Sequence, residues 1–434
     1  MRDILVVLIF TVGAVVALKR PYYGALLWVW LSLMNPHRLT WGFAYALPFA
    51  QMAALATLVG MLVKSKDIRW PGSSPLYILM LLMLWMGITT LTAILVEPSF
   101  ERYVFILKVI FMTFIISMLV RTREEIIGLV WIIVASIGFY GVKGGLFTIL
   151  SGGSHRVWGP ADSVVSGNNE LAVALIMIVP LLFYLSRHVS IGLPGFLATA
   201  GRQKMIRLSL LAAMALCGIA AIGSQSRGAL LAISAMLAVL WWRSDKKMLL
   251  TVMFVLLIPF VLMLMPESWY ARMETIGTYQ EDASAMGRIN AWTMAFNIAK
   301  DRITGAGFAT AAPVIYAQYA PDPRYVLVAH SIYFQVLGEH GFLGLILYLA
   351  MWISTYMMAG RVAKMAKPVP ELEWAASLAS MLRVSLVGFA VGGAFLSLAY
   401  WDMPFYLLVV VVVLHAHVKT AMAQYSAALA ANPR

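Results

Sequence analysis

Thirteen stretches of this 434-residue chain stay apolar for most of the thickness of a bilayer, and no other property narrows its fold as far. They fall at about 4–18, 22–34, 46–63, 75–95, 103–121, 126–149, 168–186, 205–222, 226–242, 248–265, 341–360, 376–398 and 403–418. Inside hydrocarbon every backbone N–H and C=O must be paired within the protein, so only helices and closed barrels cross it. The runs are about 13 to 24 residues long and uninterrupted, which suits helices and not the alternating strands of a barrel. Charged residues make up 12% of the chain and hydrophobic ones 62%, which excludes a compact water-soluble body. The expectation is an all-α polytopic membrane protein with 12 or 13 crossings, since the first two runs are short for a bilayer of roughly 30 Å. It divides into an N-terminal bundle at 1–265, a polar segment with amphipathic helices at 266–340, and C-terminal helices with a short tail at 341–434.

A net charge of +13 would suggest nucleic acid as the partner of a soluble protein. Here the positive charge gathers in short loops between apolar runs, where it reads as orientation signal and lipid-headgroup contact, and no nucleic acid is implied. Lys19/Arg20, Lys64/Lys66/Arg69, Arg121/Arg123, Arg187/Arg202/Lys204/Arg207, Arg243/Lys246/Lys247 and Arg361/Lys364/Lys367 occupy every second connection. The positive-inside rule makes that side cytoplasmic. The outer face then receives connections 35–45, 96–102, 151–167, 223–225, 266–340 and 399–402. Segment 266–329 holds five basic residues against six acidic ones, so no charge bias retains it inside. The first apolar run ends in Lys19-Arg20-Pro21 and not at a small-residue cleavage site, and Cys217 lies within a run, which leaves no disulfide framework. No internal repeat of the transporter kind is visible.

Polar groups kept beside lipid are costly, so those on the outer side are functional candidates. Arg227 stands in the polar turn Gly223-Ser224-Gln225-Ser226-Arg227-Gly228, against the charge rule. Its guanidinium offers phosphate a bidentate fork; the bland alternative is an arginine snorkelling to headgroups. Arg288 is expected at the start of a surface helix running to Arg302, with Ile289, Trp292, Ala295, Phe296 and Ala299 on its apolar face. Beyond it, Gly305-Ala306-Gly307 forms a turn whose backbone N–H groups are candidates for ligand contact. His330 is expected to open the next helix, where the dipole and nearby arginines keep it neutral and able to accept a proton. Asn168 occupies an expected N-cap position, and Lys143 lies near the outer end of its run, within reach of an anionic ligand. The seven histidines show no metal-ligand spacing, and no Asp-x-Asp motif occurs on the outer side, so neither a metal nor another cofactor is expected.

His330-Ser331, nine further residues, then Gly341-x-x-Gly344 resembles the histidine signature of bacterial O-antigen ligases, within the O-antigen ligase/polymerase family. Arg227 in Ser-Gln-Ser-Arg-Gly is similar to the first essential arginine of that family. Arg288-x-x-x-Trp292 followed by Gly305-x-Gly307 resembles the second arginine and its glycine turn, and Arg156 to Asn168 the asparagine-containing loop. Met34-Asn35-Pro36-His37-Arg38-Leu39-Thr40-Trp41-Gly42-Phe43 is similar to a subgroup of O-glycosylation ligases linked to exosortase systems.

The resemblance implies a GT-C type glycosyltransferase of the bacterial inner membrane with a periplasmic active site. It implies an undecaprenyl-diphosphate-linked glycan as donor and a lipid A-core sugar as acceptor. By the same resemblance Arg227, Arg288 and His330 are catalytic. Arg156, Asn168, Gln225, Trp292, Gly305, Gly307, Arg324, Tyr333 and Glu339 contact substrate, with His340 in support. A protein O-oligosaccharyltransferase and an O-antigen polymerase share the donor and stay open, and a lipid or polysaccharide transporter is the more remote reading.

Overall fold

The computed structural model of the chain describes residues 1–64, 68–191, 199–243, 246–249, 251–252, 255–256, 259, 270 and 283–431. Among these the chain is helical and contains no strand. In order come α1 (Arg2–Lys19), α2 (Pro21–Met34), α3 (Phe49–Val63), α4 (Ser74–Leu91), α5 (Val96–Leu119), α6 (Arg123–Leu150) and α7 (Asn168–Arg187). They are followed by α8 (Ala200–Gly223), α9 (Arg227–Arg243), α10 (Ala283–Asp301), α11 (Pro313–Tyr319), α12 (Ile332–Ala366), α13 (Glu373–Gly393) and α14 (Asp402–Ala431). Eight of them, α4 to α8 and α12 to α14, are long and apolar enough to cross a membrane, and α3 and α9 are apolar but shorter. The chain is an all-α polytopic membrane protein. The span expected at 248–265 lies largely outside the described residues, as do Glu267, Arg272, Glu274, Glu281, Asp282 and the 265/266 domain boundary.

Local chemistry sets the helix ends. Thr122 and Glu125 form a capping box at the start of α6: Thr122 Oγ1 accepts from the Glu125 N–H at 3.3 Å, and the Glu125 carboxylate accepts from the Thr122 N–H at 3.0 Å. The outer connection expected at 96–102 is instead the first two turns of α5, begun by Val96-Glu97-Pro98. An acid and a proline both suit a first turn, the acid because it faces the positive end of the helix dipole and the proline because the N–H it lacks would have had no intrahelical acceptor there. The tail beyond Lys419 continues α14 as helix.

The centre of the bundle is α7 together with the first half of α14. Every residue from Trp401 to Leu414 is buried, and most of α7 is too. Neither needs an amphipathic pattern, because a helix walled in on all sides is apolar all round. Around them α6 packs on α8, α4 on α12, and α13 on α7, α9 and α12.

One irregularity positions everything that follows. Within α12, Gly341 has φ 68° and ψ −172°, so the segment is two helices, a short one before the glycine and a long one after it. That backbone conformation is open essentially to glycine alone. A Cβ at Gly341 would also lie 2.1 Å from the Ile303 carbonyl oxygen.

Candidate functional site

Two polar loops meet at one end of the bundle. The turn between α8 and α9 holds Gln225 in the left-handed region, at φ 55°. Gln225 Nε2 donates to the Gly153 carbonyl at 3.2 Å, and Arg156 Nε donates to Gln225 Oε1 at 3.5 Å. Asn168 Nδ2 donates to the Ser224 carbonyl at 2.8 Å, and the Val157 N–H to the Gly223 carbonyl at 3.3 Å. Arg156, Asn168 and Gln225, singled out from sequence, are thus one hydrogen-bonded unit beside Arg227, the half-buried first residue of α9. Asn168 is not an N-cap: Gly167 takes that place, and the Asn168 side chain bridges loops.

The second half of the site comes from α10 and the start of α12. Trp292 Nε1 donates to the Ala329 carbonyl at 2.7 Å, and its ring stacks on Phe334 with centroids 5.0 Å apart. These contacts bind α10 to the seam that carries His330. Arg288, one turn before Trp292, is close enough to act electrostatically on both His330 and Glu170. His330 has φ 45°, and its backbone N–H donates to Ser397 Oγ at 3.0 Å. Its imidazole makes no hydrogen bond among the described residues. Burial pushes its pKa below the usual 6.5, and the positive charge of Arg288 adds to the effect, so it is a neutral imidazole at pH 7. The 394–401 connection closes the cluster, because Phe395 lies over Gly228, next to Arg227, while Ser397 holds His330.

Several expectations require correction. α10 begins at Ala283, so Arg288 sits in its second turn and gains nothing from a helix start. The residues Ala283-Ser284-Ala285-Met286 carry no breaker, and the helix extends back through them. The buried face of α10 is Ala291, Met294, Ala295, Ile298 and Ala299, with Ile289 and Phe296 exposed. His330 does not open α12; it precedes the N-cap Ser331.

The glycine turn is already engaged. The N–H groups of Gly305, Ala306 and Gly307 donate to the carbonyls of Arg302, Gly338 and Glu339 at 3.0, 2.9 and 3.0 Å. Trp85 Nε1 donates to the His340 carbonyl at 2.9 Å. The break at Gly341 removes the helical partners of these three α12 carbonyls, and the turn and the indole replace them. Ala306 and Gly307 therefore brace the helix carrying the seam, while the Gly305 N–H closes its own turn, so the N–H groups of Gly305 and Gly307 are engaged within the protein.

Glu339 and His340 are buried behind that brace. The Glu339 carboxylate accepts from Tyr400 Oη at 2.6 Å and from Gln335 Nε2 at 3.3 Å, while His340 Nδ1 bonds to Thr89 Oγ1 at 2.7 Å. Tyr333 Oη donates to the Ala390 carbonyl at 2.8 Å, tying α12 to α13. Arg324 is exposed and forms a two-pronged pair with Asp322, its Nε and Nη2 each 3.0 Å from a carboxylate oxygen. No contact joins Arg324 to His330. Lys143 lies instead in an apolar groove of about 560 Å³ lined by Trp131, Phe139, Leu182 and Leu210. Glu170 and Ser397 were missed from sequence; Glu170 left a trace as the only acid in the first turn of α7, and Ser397 left none. Among the described residues no group of three or more His, Cys, Asp or Glu gathers as metal ligands.

The N-terminal loop docks onto the same end. Asn35, at φ 48°, turns the chain out of α2 into the short 3-10 turn Pro36–Leu39. Arg38 lies over the Tyr45 ring at 4.5 Å and 3.9 Å from Asp162, which accepts from Tyr45 Oη.

Residues 212–349 match the model of a family described as O-Antigen ligase, and residues 1–190 match a Family of unknown function (DUF5935). A search of curated proteins returns no match. The first match covers Arg227, Arg288 and His330 together and supports O-antigen-ligase-type activity, a membrane glycan transfer, in a multi-pass protein.

Proposed function

We propose that the chain transfers a glycan from undecaprenyl diphosphate to a sugar hydroxyl of a lipid A-core, at the periplasmic face of the bacterial inner membrane. The observation that carries this reading is the joining of Arg288, Glu170 and a neutral His330 to the turn that bears Arg227, with Arg227, Arg288 and His330 inside the segment matched to the ligase family. Arg227 and Arg288 hold the donor diphosphate, each guanidinium engaging two oxygens, and stabilise the charge that develops as it leaves. Glu170 holds Arg288 in place. His330 takes the proton of the acceptor hydroxyl while that oxygen forms its bond to the anomeric carbon. The bond from that carbon to the diphosphate breaks on the opposite side, and undecaprenyl diphosphate departs with both bonding electrons. A single in-line displacement of this kind inverts the anomeric centre. The two arginines supply the positive charge that a divalent metal supplies in other phosphate sites, and the reading implies an enzyme of the GT-C type.

The test is incubation of the purified chain with lipid-linked glycan and, in separate arms, lipid A-core or a pilin-like peptide. Glycosylated lipid A-core on a gel is the expected product. Transfer to the peptide alone assigns protein O-glycosylation, the reading favoured by the resemblance of residues 34–43. Glycan lengthening with no acceptor added assigns a polymerase, and absence of transfer in every arm overturns the proposal.

A further inference from the structure

Arg383 is a cation in the middle of a membrane helix. It lies ten residues into α13, about 15 Å from Glu373 at 1.5 Å per residue. No ion pair among the described residues includes it, and its Nε is buried without a hydrogen-bond partner. Among the described residues its guanidinium lies over the Tyr356 ring, 4.2 Å from the guanidinium carbon to the centroid. Helical side chains lean toward the N-terminus of their helix, here the end marked by Arg361, Lys364 and Lys367. That lean lays the guanidinium against Gly360 of α12, where a Cβ would come within 3.3 Å of it. With hydrogen in place of a side chain, Gly360 leaves the fork reachable from the lipid side, and Arg383 is in fact only half-buried.

Charge and depth together select the occupant. Lys364 lies one turn beyond Gly360 on the same face of α12 and is exposed, as is Arg361. From Phe342 to Ala366, α12 is 25 residues long, about 37 Å, against roughly 30 Å of hydrocarbon. Its last turn, which carries Lys364, therefore reaches the headgroups, and Gly360 is about 9 Å from the end at Ala366. A lipid phosphate on that side meets a guanidinium fork from below the headgroup level and two further cations above it. We propose that the α12–α13 groove at Arg383, Gly360 and Lys364 is a binding site for the phosphate of an anionic phospholipid.

The experiment is native mass spectrometry of the full chain in detergent with equimolar phosphatidylglycerol and phosphatidylcholine. The unaltered chain is expected to retain phosphatidylglycerol selectively. Arg383→Gln is expected to lower that retention roughly tenfold, the loss of a charge-assisted hydrogen bond, and to leave phosphatidylcholine unchanged. Gly360→Leu keeps the arginine but fills its approach, and gives the same reading if Arg383→Gln is not recovered folded. Undiminished phosphatidylglycerol retention in the variant, or equal retention of both lipids by the unaltered chain, overturns the site. So does a dimer that Arg383→Gln dissociates, because the partner would then be a carboxylate of a second copy.

Discussion

At the scale of single residues, the proposed site separates into groups assigned to meet substrate and groups assigned to hold them. His330→Ala is expected to lower transfer by about 10²- to 10⁴-fold, the usual worth of a general base, with expression and thermal stability unchanged. Near-normal ligation by that variant in the purified assay rules out the base. Because burial and Arg288 both lower the His330 pKa, the neutral form persists below pH 6.5. The acid limb of kcat/KM is therefore expected below pH 6.5, and Arg288→Gln should move it upward by removing the second cause. A limb above pH 6.5 in the unaltered enzyme contradicts the assignment. Glu170→Gln frees Arg288, so KM for the lipid-linked donor should rise by a larger factor than kcat falls; equal changes in the two would deny Glu170 its positioning role.

At the scale of elements, the broken α12 makes the site possible. Gly341→Ala forces a Cβ into backbone held in a glycine-only region, at a cost of about 1–3 kcal/mol from the dihedral alone, before the clash with the Ile303 carbonyl. The expected result is a lower melting temperature in detergent together with lost transfer; unaltered melting would mean that α12 can straighten without penalty. The seam between the polar segment and the last helices was legible in the sequence, because Gly341 and Gly344 stand out in an apolar run and His330 marks its polar edge. The purpose of Gly305 and Gly307 was not, since which carbonyls a turn caps depends on a neighbour more than thirty residues away. The face of α10 was misread for a similar reason. Of the expected stripe Ile289, Trp292, Ala295, Phe296 and Ala299, Ala295 and Ala299 are buried but Ile289 and Phe296 are exposed, because the helix turns small Ala291 and Ala295 toward its neighbours, Ala295 lying against Gly338 of α12. Helix existence followed from apolar length alone, whereas Ser397 and Glu170 became visible only when loops distant in sequence were brought together.

At the scale of the whole molecule, a metal-free phosphate clamp predicts that EDTA leaves the transfer rate unchanged. Inhibition by EDTA that Mg²⁺ reverses would assign the clamp's work to a cation. The orientation is equally open to measurement. In a Cys217→Ala background, Ala161→Cys should react with a membrane-impermeant maleimide in whole spheroplasts, and Lys367→Cys only after lysis. Both positions are exposed and lie at opposite ends of the bundle by the charge pattern. The reverse labelling would turn the molecule over and remove the site from the periplasm.

The hydrogen bonds around the broken helix also order the birth of the protein. Trp85, Thr89 and residues 303–307, which satisfy the carbonyls and the imidazole near Gly341, all precede it in the chain, so a ribosome delivers them before the segment that needs them. Ser397 and Tyr400, which hold His330 and Glu339, arrive only with the last pair of helices. A chain stalled before residue 394 would therefore carry a braced helix and an unclamped histidine. Competence for transfer then arises late in synthesis, when the membrane-embedded body is otherwise in place and a costly lipid-linked donor is no longer at risk from a half-built enzyme.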